Sequence, residues 1–173
     1  GDRFGEMRME DKKRQTYALF FRDYPKHYAA GQLVMSFGER EFQLKNYKGA
    51  LEFYTQITEV YTNSPYYYDA LSRAAQIHKE EGRYKEAVAS LELYVAKVAD
   101  RPRPGHALVA GRFSLADAYR EYGNLQLKAL HTNVTDEAAQ REAVTWLTKA
   151  ALGFSGVASM LAGEAAAAYQ SSA

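Results

Sequence analysis

Two short stretches limit what this chain can fold into. Lys45-Asn46-Tyr47-Lys48-Gly49-Ala50 is echoed by Glu81-Gly82-Arg83-Tyr84-Lys85-Glu86-Ala87, and Ala50 stands 37 positions before Ala87. Each places an aromatic three residues ahead of an alanine, just past a turn signal. Gly82 closes the helix before it in the way a left-handed C-terminal residue does, and a new helix begins at Tyr84. Self-similarity at this period reads as a series of helical hairpins, units that bury their apolar faces only against neighbours.

Apolar spacing places helices on both sides of the echo. The first is expected over Met7 to Tyr24, stopped by Pro25, with Glu10-Asp11-Lys12-Lys13-Arg14 a solvated face. The second is expected from about Lys26 to Leu44 and the third from Tyr47 to Thr62. Asn63-Ser64-Pro65 then breaks the chain, with Ser64 a candidate cap ahead of Pro65 at the first helical position. The fourth covers about Tyr66 to Glu81, and the fifth, about Tyr84 to Ala99, buries Tyr84, Ala87, Val88, Leu91, Tyr94, Val95 and Val98. Asp100-Arg101-Pro102-Arg103-Pro104-Gly105 is a stiff loop. The sixth helix starts near His106 and carries Leu108, Phe113, Leu115, Ala116, Tyr119 and Tyr122. Gly123-Asn124 either ends it or lets it continue, possibilities the residues leave open as far as Ala129. His131 to Thr135 reads as a loop, with Thr135 opening a seventh helix to Leu152 that buries Ala139, Val144, Leu147, Ala150 and Ala151. Gly153 to Gly156 breaks it, and a last helix, Val157 to Tyr169, places Val157, Met160, Leu161, Ala165 and Ala168 on one face.

The totals restrict function more than they define it. In 173 residues, 22 Lys and Arg stand against 21 Asp and Glu, a net charge of +1, which argues against strong attraction to nucleic acid or an anionic membrane. There is no cysteine, so disulfides and thiolate chemistry are excluded. No apolar run is expected to approach the ~18–20 residues of a membrane span. The leading Gly1 reads as a processed or internal boundary, so the expectation is a fragment of a larger protein. His27, His78, His106 and His131 include no pair three or four apart, the spacing of a helical metal pair. No phosphate-cradling glycine loop is present. Gly153-Phe154-Ser155-Gly156-Val157 lacks the final glycine of a nucleophile elbow. Glu80-Glu81 and Glu39/Glu41 sit beside Lys79 and Arg40 as solvated carboxylates, not as a buried acid pair. Asn133-Val134-Thr135 is formally a glycosylation sequon, better explained as a helix-start loop. The expectation is therefore no enzyme, no cofactor and no metal. The 14 tyrosines read chiefly as packing between helices, some as anchors for a partner.

With Gly38, Tyr47, Ala50, Tyr54 and Pro65 in one unit and Ala75, Gly82, Tyr84, Ala87, Leu91 and Pro102 in the next, the chain resembles the tetratricopeptide repeat family. A third unit is stretched: Ala116, Tyr119, Gly123, then Ala143, Leu147 and Ala150, with a turn-and-loop segment inserted near Leu125 to Val134. The resemblance implies one all-α domain over 1–173, a right-handed solenoid of antiparallel hairpins with about eight helices. Its repeats would be 31–65, 68–102 and 106–153, preceded by the second helix of an earlier repeat and followed by a terminal helix at 156–170. It also implies a protein-interaction scaffold whose first helices line a concave face. By register that face holds Gln32, Met35, Glu39 and Phe42, then Asp69, Ser72, Gln76 and Lys79, then Phe113, Asp117 and Arg120. Some members clamp a terminal carboxylate with Lys and Asn. Here the matching places are Met35, Glu39 and Arg73, so that clamp is not reproduced.

Tyr24-Pro25-x-x-Tyr28-Ala29 and Tyr61-x-x-Ser64-Pro65 are similar to phrases in bacterial envelope members of the family, of the outer-membrane assembly and Tol–Pal-associated types. The implied partner is a protein or peptide, not nucleic acid and not a membrane, in a bacterial multiprotein assembly with a lean to the cell envelope. The alternative is a structural module that self-associates through its ends.

Overall fold

The computed structural model describes residues 12, 15–17, 19, 20, 23, 27–132 and 137–171. Those between 12 and 23 are all helical. Six helices follow among the described residues, with no strand: α1 (Tyr28–Gln43), α2 (Tyr47–Glu59), α3 (Tyr67–Glu80), α4 (Tyr84–Ala99), α5 (Gly105–Thr132) and α6 (Glu137–Ser171). The fold is all-α and of helical-repeat type. The expected stop at Pro25 and the segment Asn133 to Asp136, with its sequon and helix start, lie outside the described residues. The chain divides into two compact units, residues 1–70 and 71–173, the division falling inside α3.

In the first unit α1 and α2 form a hairpin. Val34, Ala30, Ala50, Tyr54 and Ile57 are fully buried; burial of an aliphatic side chain of this size stabilises by roughly 1.5–3 kcal/mol. Gly38 lies under the Tyr54 ring, where a Cβ would come within 2.5 Å of Cε1. The helical glycine costs about 1 kcal/mol and admits the ring. The polar end of Tyr54 is satisfied because its hydroxyl donates to Glu39 Oε1 at 2.9 Å. Beyond α2, Ser64 Oγ accepts from the Tyr66 amide at 3.2 Å and its carbonyl from the Tyr67 amide. Ser64 thus caps the entry to α3, but Pro65 and Tyr66 are turn residues and the helix begins at Tyr67. α2 also ends at Glu59, short of the expected Thr62.

The two echoed turns have one geometry. After α1, the Lys45 amide donates to Phe42 and the Asn46 amide to Glu41; after α3, Gly82 donates to Lys79 and Arg83 to His78. This pair of bonds satisfies carbonyls a helix end leaves open, and requires a left-handed residue just past the end. Gly82 supplies φ +72° and Lys45 φ +58°, the described non-glycine residue with positive φ. The conformation costs a lysine more than a glycine, so the hydrogen bonds, and not the residue type, hold the first turn.

The turns differ in the polar group they cover. Glu41 is buried and its Oε2 accepts from the Asn46 side-chain amide at 2.6 Å. His78 stands 37 positions on, but the counterpart of Asn46 is Arg83, and the buried His78 Nδ1 has no hydrogen-bond partner. Burial first, then the Arg83 guanidinium, hold His78 below its ordinary 6.5, against smaller opposing pulls from Glu86 and Glu81.

In the second unit α4 occupies its expected span, with Ala87, Val88, Leu91 and Val98 buried. Ala75, Val88, Leu91 and Ala118 form a core on which Leu115, Tyr119 and Trp146 pack. α5 runs 28 residues straight through Gly123-Asn124. Gly123 faces Leu147, Ala116 faces Gly153 and Arg112 faces Met160, so α5 and α6 run antiparallel along most of their length. The segment expected as an inserted loop near Leu125 is largely an extension of α5.

The expected break at Gly153 to Gly156 does not occur: α6 is one helix of 35 residues, and fewer helices result than the eight expected. Gly153 is an approach point instead, where a Cβ would stand 2.8 Å from Ala116 Cβ. No proline intervenes, and two glycines among good helix formers cost less than the α5 contact returns. The buried line of α6 is Ala143, Ala150 and Val157, with Trp146 and Leu147 half-buried. Val144 and Leu161, expected inside, are 66% and 47% exposed, and Ala151 and Ala165 are also exposed. Continuity across Gly153 also corrects the expectation about apolar runs: Glu137–Ala167 contains an 18-residue window of mean hydropathy 1.3 and is long and apolar enough to cross a membrane by length and composition.

Two measurements test these assignments. Gly156 has open space around it and no positive φ. Gly156→Ala is therefore expected to stabilise by about 0.5–1 kcal/mol, whereas Gly153→Ala destabilises by overpacking Ala116. Thermal unfolding by circular dichroism checks both, and a loss of stability in Gly156→Ala would restore the break. For His78 the folded-state pKa is depressed, so the unfolded chain takes up this proton first as pH falls through 6.5. Stability is expected to fall between about pH 7 and pH 5, and His78→Phe to show a shallower loss in urea midpoints. Equal slopes would mean the imidazole is not the responsible group.

Candidate functional site

The outward faces of the first helices carry two open clefts, one in each unit. The first, about 360 Å³, is lined by Gln32, Met35, Ser36, Glu39, Arg40 and Gln43 of α1 and by Tyr66. Residues three and four apart share a helix face, which is why Gln32, Ser36 and Arg40 converge with Met35, Glu39 and Gln43. Met35 is buried and forms an apolar floor. Ser36 donates to the Gln32 carbonyl at 2.9 Å.

The second cleft, about 320 Å³, is lined by Ser72, Ala75, Gln76, Lys79 and Glu80 of α3, Leu91 of α4 and Ser114 of α5. Ala75 and Leu91 form its floor, and both are buried. Arg73 donates to Gln76 Oε1 at 3.0 Å, and Gln76 donates to Glu80 at 3.2 Å. The Lys79 ammonium is held by Asp117 at 3.1 Å and Glu121 at 2.9 Å, and Asp117 also receives Arg120. Burial would lower the Lys79 pKa, but the hydrogen bonds to Glu121 and Asp117 outweigh it and hold it above 10.5. Burial would likewise raise Asp117, yet Arg120 and Lys79 keep it below 3.8.

Gln32, Met35 and Glu39 thus come together in one cleft, and Ser72, Gln76 and Lys79 in the other. Phe42 lies outside the first cleft, its ring 5.8 Å from that of Tyr47. Asp69 is exposed but lines neither cleft. Phe113 is 52% exposed and meets Phe154 edge-on at 5.5 Å inside its own hairpin. Asp117 and Arg120 bound the second cleft through their ion pairs without lining it. Ser36, Arg40 and Gln43 of the first cleft and Ala75 and Glu80 of the second were missed although they lie on the same helices as the selected residues, and Tyr66, Leu91 and Ser114 were missed because they come from outside each cleft's main helix.

A second constellation, also missed, lies between α4, α5 and α6. Trp146 meets Tyr122 at 5.2 Å and Tyr119 at 5.5 Å, and Lys149 sits 4.5 Å over the Trp146 ring. Tyr119 donates to Glu92 at 2.7 Å, and burial together with that carboxylate raises its pKa. Glu142 accepts from Tyr122 at 3.1 Å and from Lys85 at 3.3 Å. The two tyrosine hydroxyls, the two carboxylates and both lysines are engaged within the protein, which fits inter-helix packing. Among the described residues no three of His, Asp and Glu are grouped as metal ligands would be.

Comparison with known proteins found that residues 41–111 match the family model described as Tetratricopeptide repeat. That span takes in α2, α3 and α4 and both echoed turns. No curated protein and no solved structure matches the chain.

Proposed function

We propose, taking the tetratricopeptide repeat of residues 41–111 as premise, that this chain is a non-enzymatic scaffold that holds a protein or peptide on the outward faces of α1, α3 and α5. Repeats of this family are in general protein-interaction modules. The observation that carries the reading is that the register-selected residues of α1 and α3 line open clefts, on helices fixed by buried cores. A preformed surface loses little ordering entropy on binding. The contact residues are Gln32, Met35 and Glu39 in one unit and Ser72, Gln76 and Lys79 in the other, with Phe42, Asp69, Phe113, Asp117 and Arg120 flanking them. The setting we infer is a multiprotein assembly of the bacterial cell envelope. Its support is the pair of phrases Tyr24 to Ala29 and Tyr61 to Pro65.

Filling a cleft tests the reading. Ser72 is exposed at the rim of its cleft, and Ser72→Trp is expected to weaken peptides selected on the full chain from a random display library by about tenfold, roughly 1.4 kcal/mol, with an unchanged helical spectrum. Undiminished binding removes this face from the function.

A second reading, self-association, rests on α6. Val144 and Leu152 of that helix are 66% and 69% exposed. Val144 stands where Val88, 3% exposed, stands one repeat earlier. Burying such residues against another chain is favourable at roughly 25 cal/mol per Å². Sedimentation at two loading concentrations is expected to show a concentration-dependent mass, lost in Val144→Glu/Leu152→Glu. A monomer at both concentrations, or flotation of the chain with lipid vesicles instead, removes the reading.

A further inference from the structure

One exposed line of residues runs along α6. Arg141, Val144, Thr148, Leu152, Ser155 and Ser159 follow one another at steps of three and four, the spacing of a single helix face, and all are exposed. Val144 and Leu152 are its large apolar members, and each stands four residues from Thr148. Arg141 pairs with Glu137 of its own helix, and Ser159 donates to the Ser155 carbonyl at 3.0 Å. From Val144 to Ser159 the line carries no charge.

A bilayer and a second apolar protein face are the two coverings such a line suits. A bilayer crossed by α6 would surround it, yet Ala143, Ala150 and Val157 are buried and Gly153 is closed against Ala116. A helix lying on a bilayer needs a basic flank, and Arg141, the cation on this line, is already paired. A second copy of the chain supplies a face with the same lack of charge. Parallel pairing would set Arg141 against Arg141, and like charges brought together are costly. Antiparallel pairing centred on Thr148 sets Val144 against Leu152 twice and Arg141 against Ser155, and keeps the two arginines about 21 Å apart along the axis. α4 and α5 already pack antiparallel within the chain: Val88, which stands where Val144 does one repeat earlier, is 3% exposed in a core that Ala118 of α5 completes.

We propose that two copies of this chain pair through α6, antiparallel about a twofold axis at Thr148, with each Val144 against the Leu152 of the other copy. Such an interface is isologous and closes on itself. The inference deepens the self-association reading and rests on it. The contact is one helix face about 33 Å long, at the low end for a specific interface, so the dimer is expected to form in the micromolar range.

Because the chain has no cysteine, single cysteines report the geometry without background. Thr148→Cys, oxidised mildly at about 100 μM, is expected to form a disulfide dimer about fivefold or more faster than Ala89→Cys, since residues at the axis come within the separation a disulfide requires. Ala89 is an exposed residue of α4. Val144→Cys mixed with a longer-tagged Leu152→Cys is expected to give more mixed dimer than either homodimer. Thr148→Cys oxidising no faster than Ala89→Cys, or Val144→Cys pairing chiefly with itself, overturns the inference. If the unmodified chain shows a concentration-dependent mass in sedimentation while these crosslinks fail, the antiparallel geometry alone is wrong. A monomer up to about 200 μM, or flotation with lipid vesicles, removes self-association and this geometry together.

Discussion

The left-handed residue that closes α1 and α3 is the constraint on which the hairpins depend. At Lys45 and at Gly82 the chain reverses through the same two backbone hydrogen bonds. The reversal fixes where α2 and α4 begin, and so the rotational phase at which Ala50 and Ala87 turn inward. Once that phase is set, the outward faces of α1 and α3 follow, because a helix that buries one stripe must present the opposite one. The clefts are a consequence of turn geometry carried along rigid helices.

The same turns show how one architecture accommodates different chemistry. Position 41 holds a carboxylate and position 78 an imidazole, both beneath the reversal. Glu41 finds the Asn46 amide, whereas His78 meets Arg83 and leaves a buried nitrogen without a partner. An unsatisfied buried polar atom costs stability, and the second turn has in compensation the glycine suited to its backbone. The first has a satisfied acid and a lysine in a conformation lysine disfavours. Each turn carries one unfavourable feature, and they differ.

Much of the fold was legible because its signals are local. The span of α4 follows from Gly82, the apolar period and the Pro102-Pro104 loop. The period of 37 and the outward register of α1 and α3 follow from Gly38, Ala50, Ala75 and Ala87. The misreadings share one cause. Gly153 and Gly156 look like a break by composition, yet Gly153 is where α6 touches Ala116, a contact with a residue 37 positions away. The phase of α6 was misassigned with it: following Ala143, Trp146, Ala150, Gly153 and Val157 as one line would have found both the buried face and Trp146. Phe113 and Phe42 look like face residues by register, but a nearby aromatic claims each ring.

What the sequence by itself determined is the hairpin period, the helical character of nearly every described segment and the residues at which α1 and α3 face outward. These depend on backbone conformation and on spacings of three and four residues, which are short-range. Only the tertiary structure decided that α6 is one helix, that Lys79 is neutralised by α5, and that Tyr66 and Ser114 complete the clefts. Each depends on which side chain arrives from another element. In the α-helix, register fixes the direction a residue points but not the neighbour it meets, and charge compensation and cleft shape belong to the neighbour.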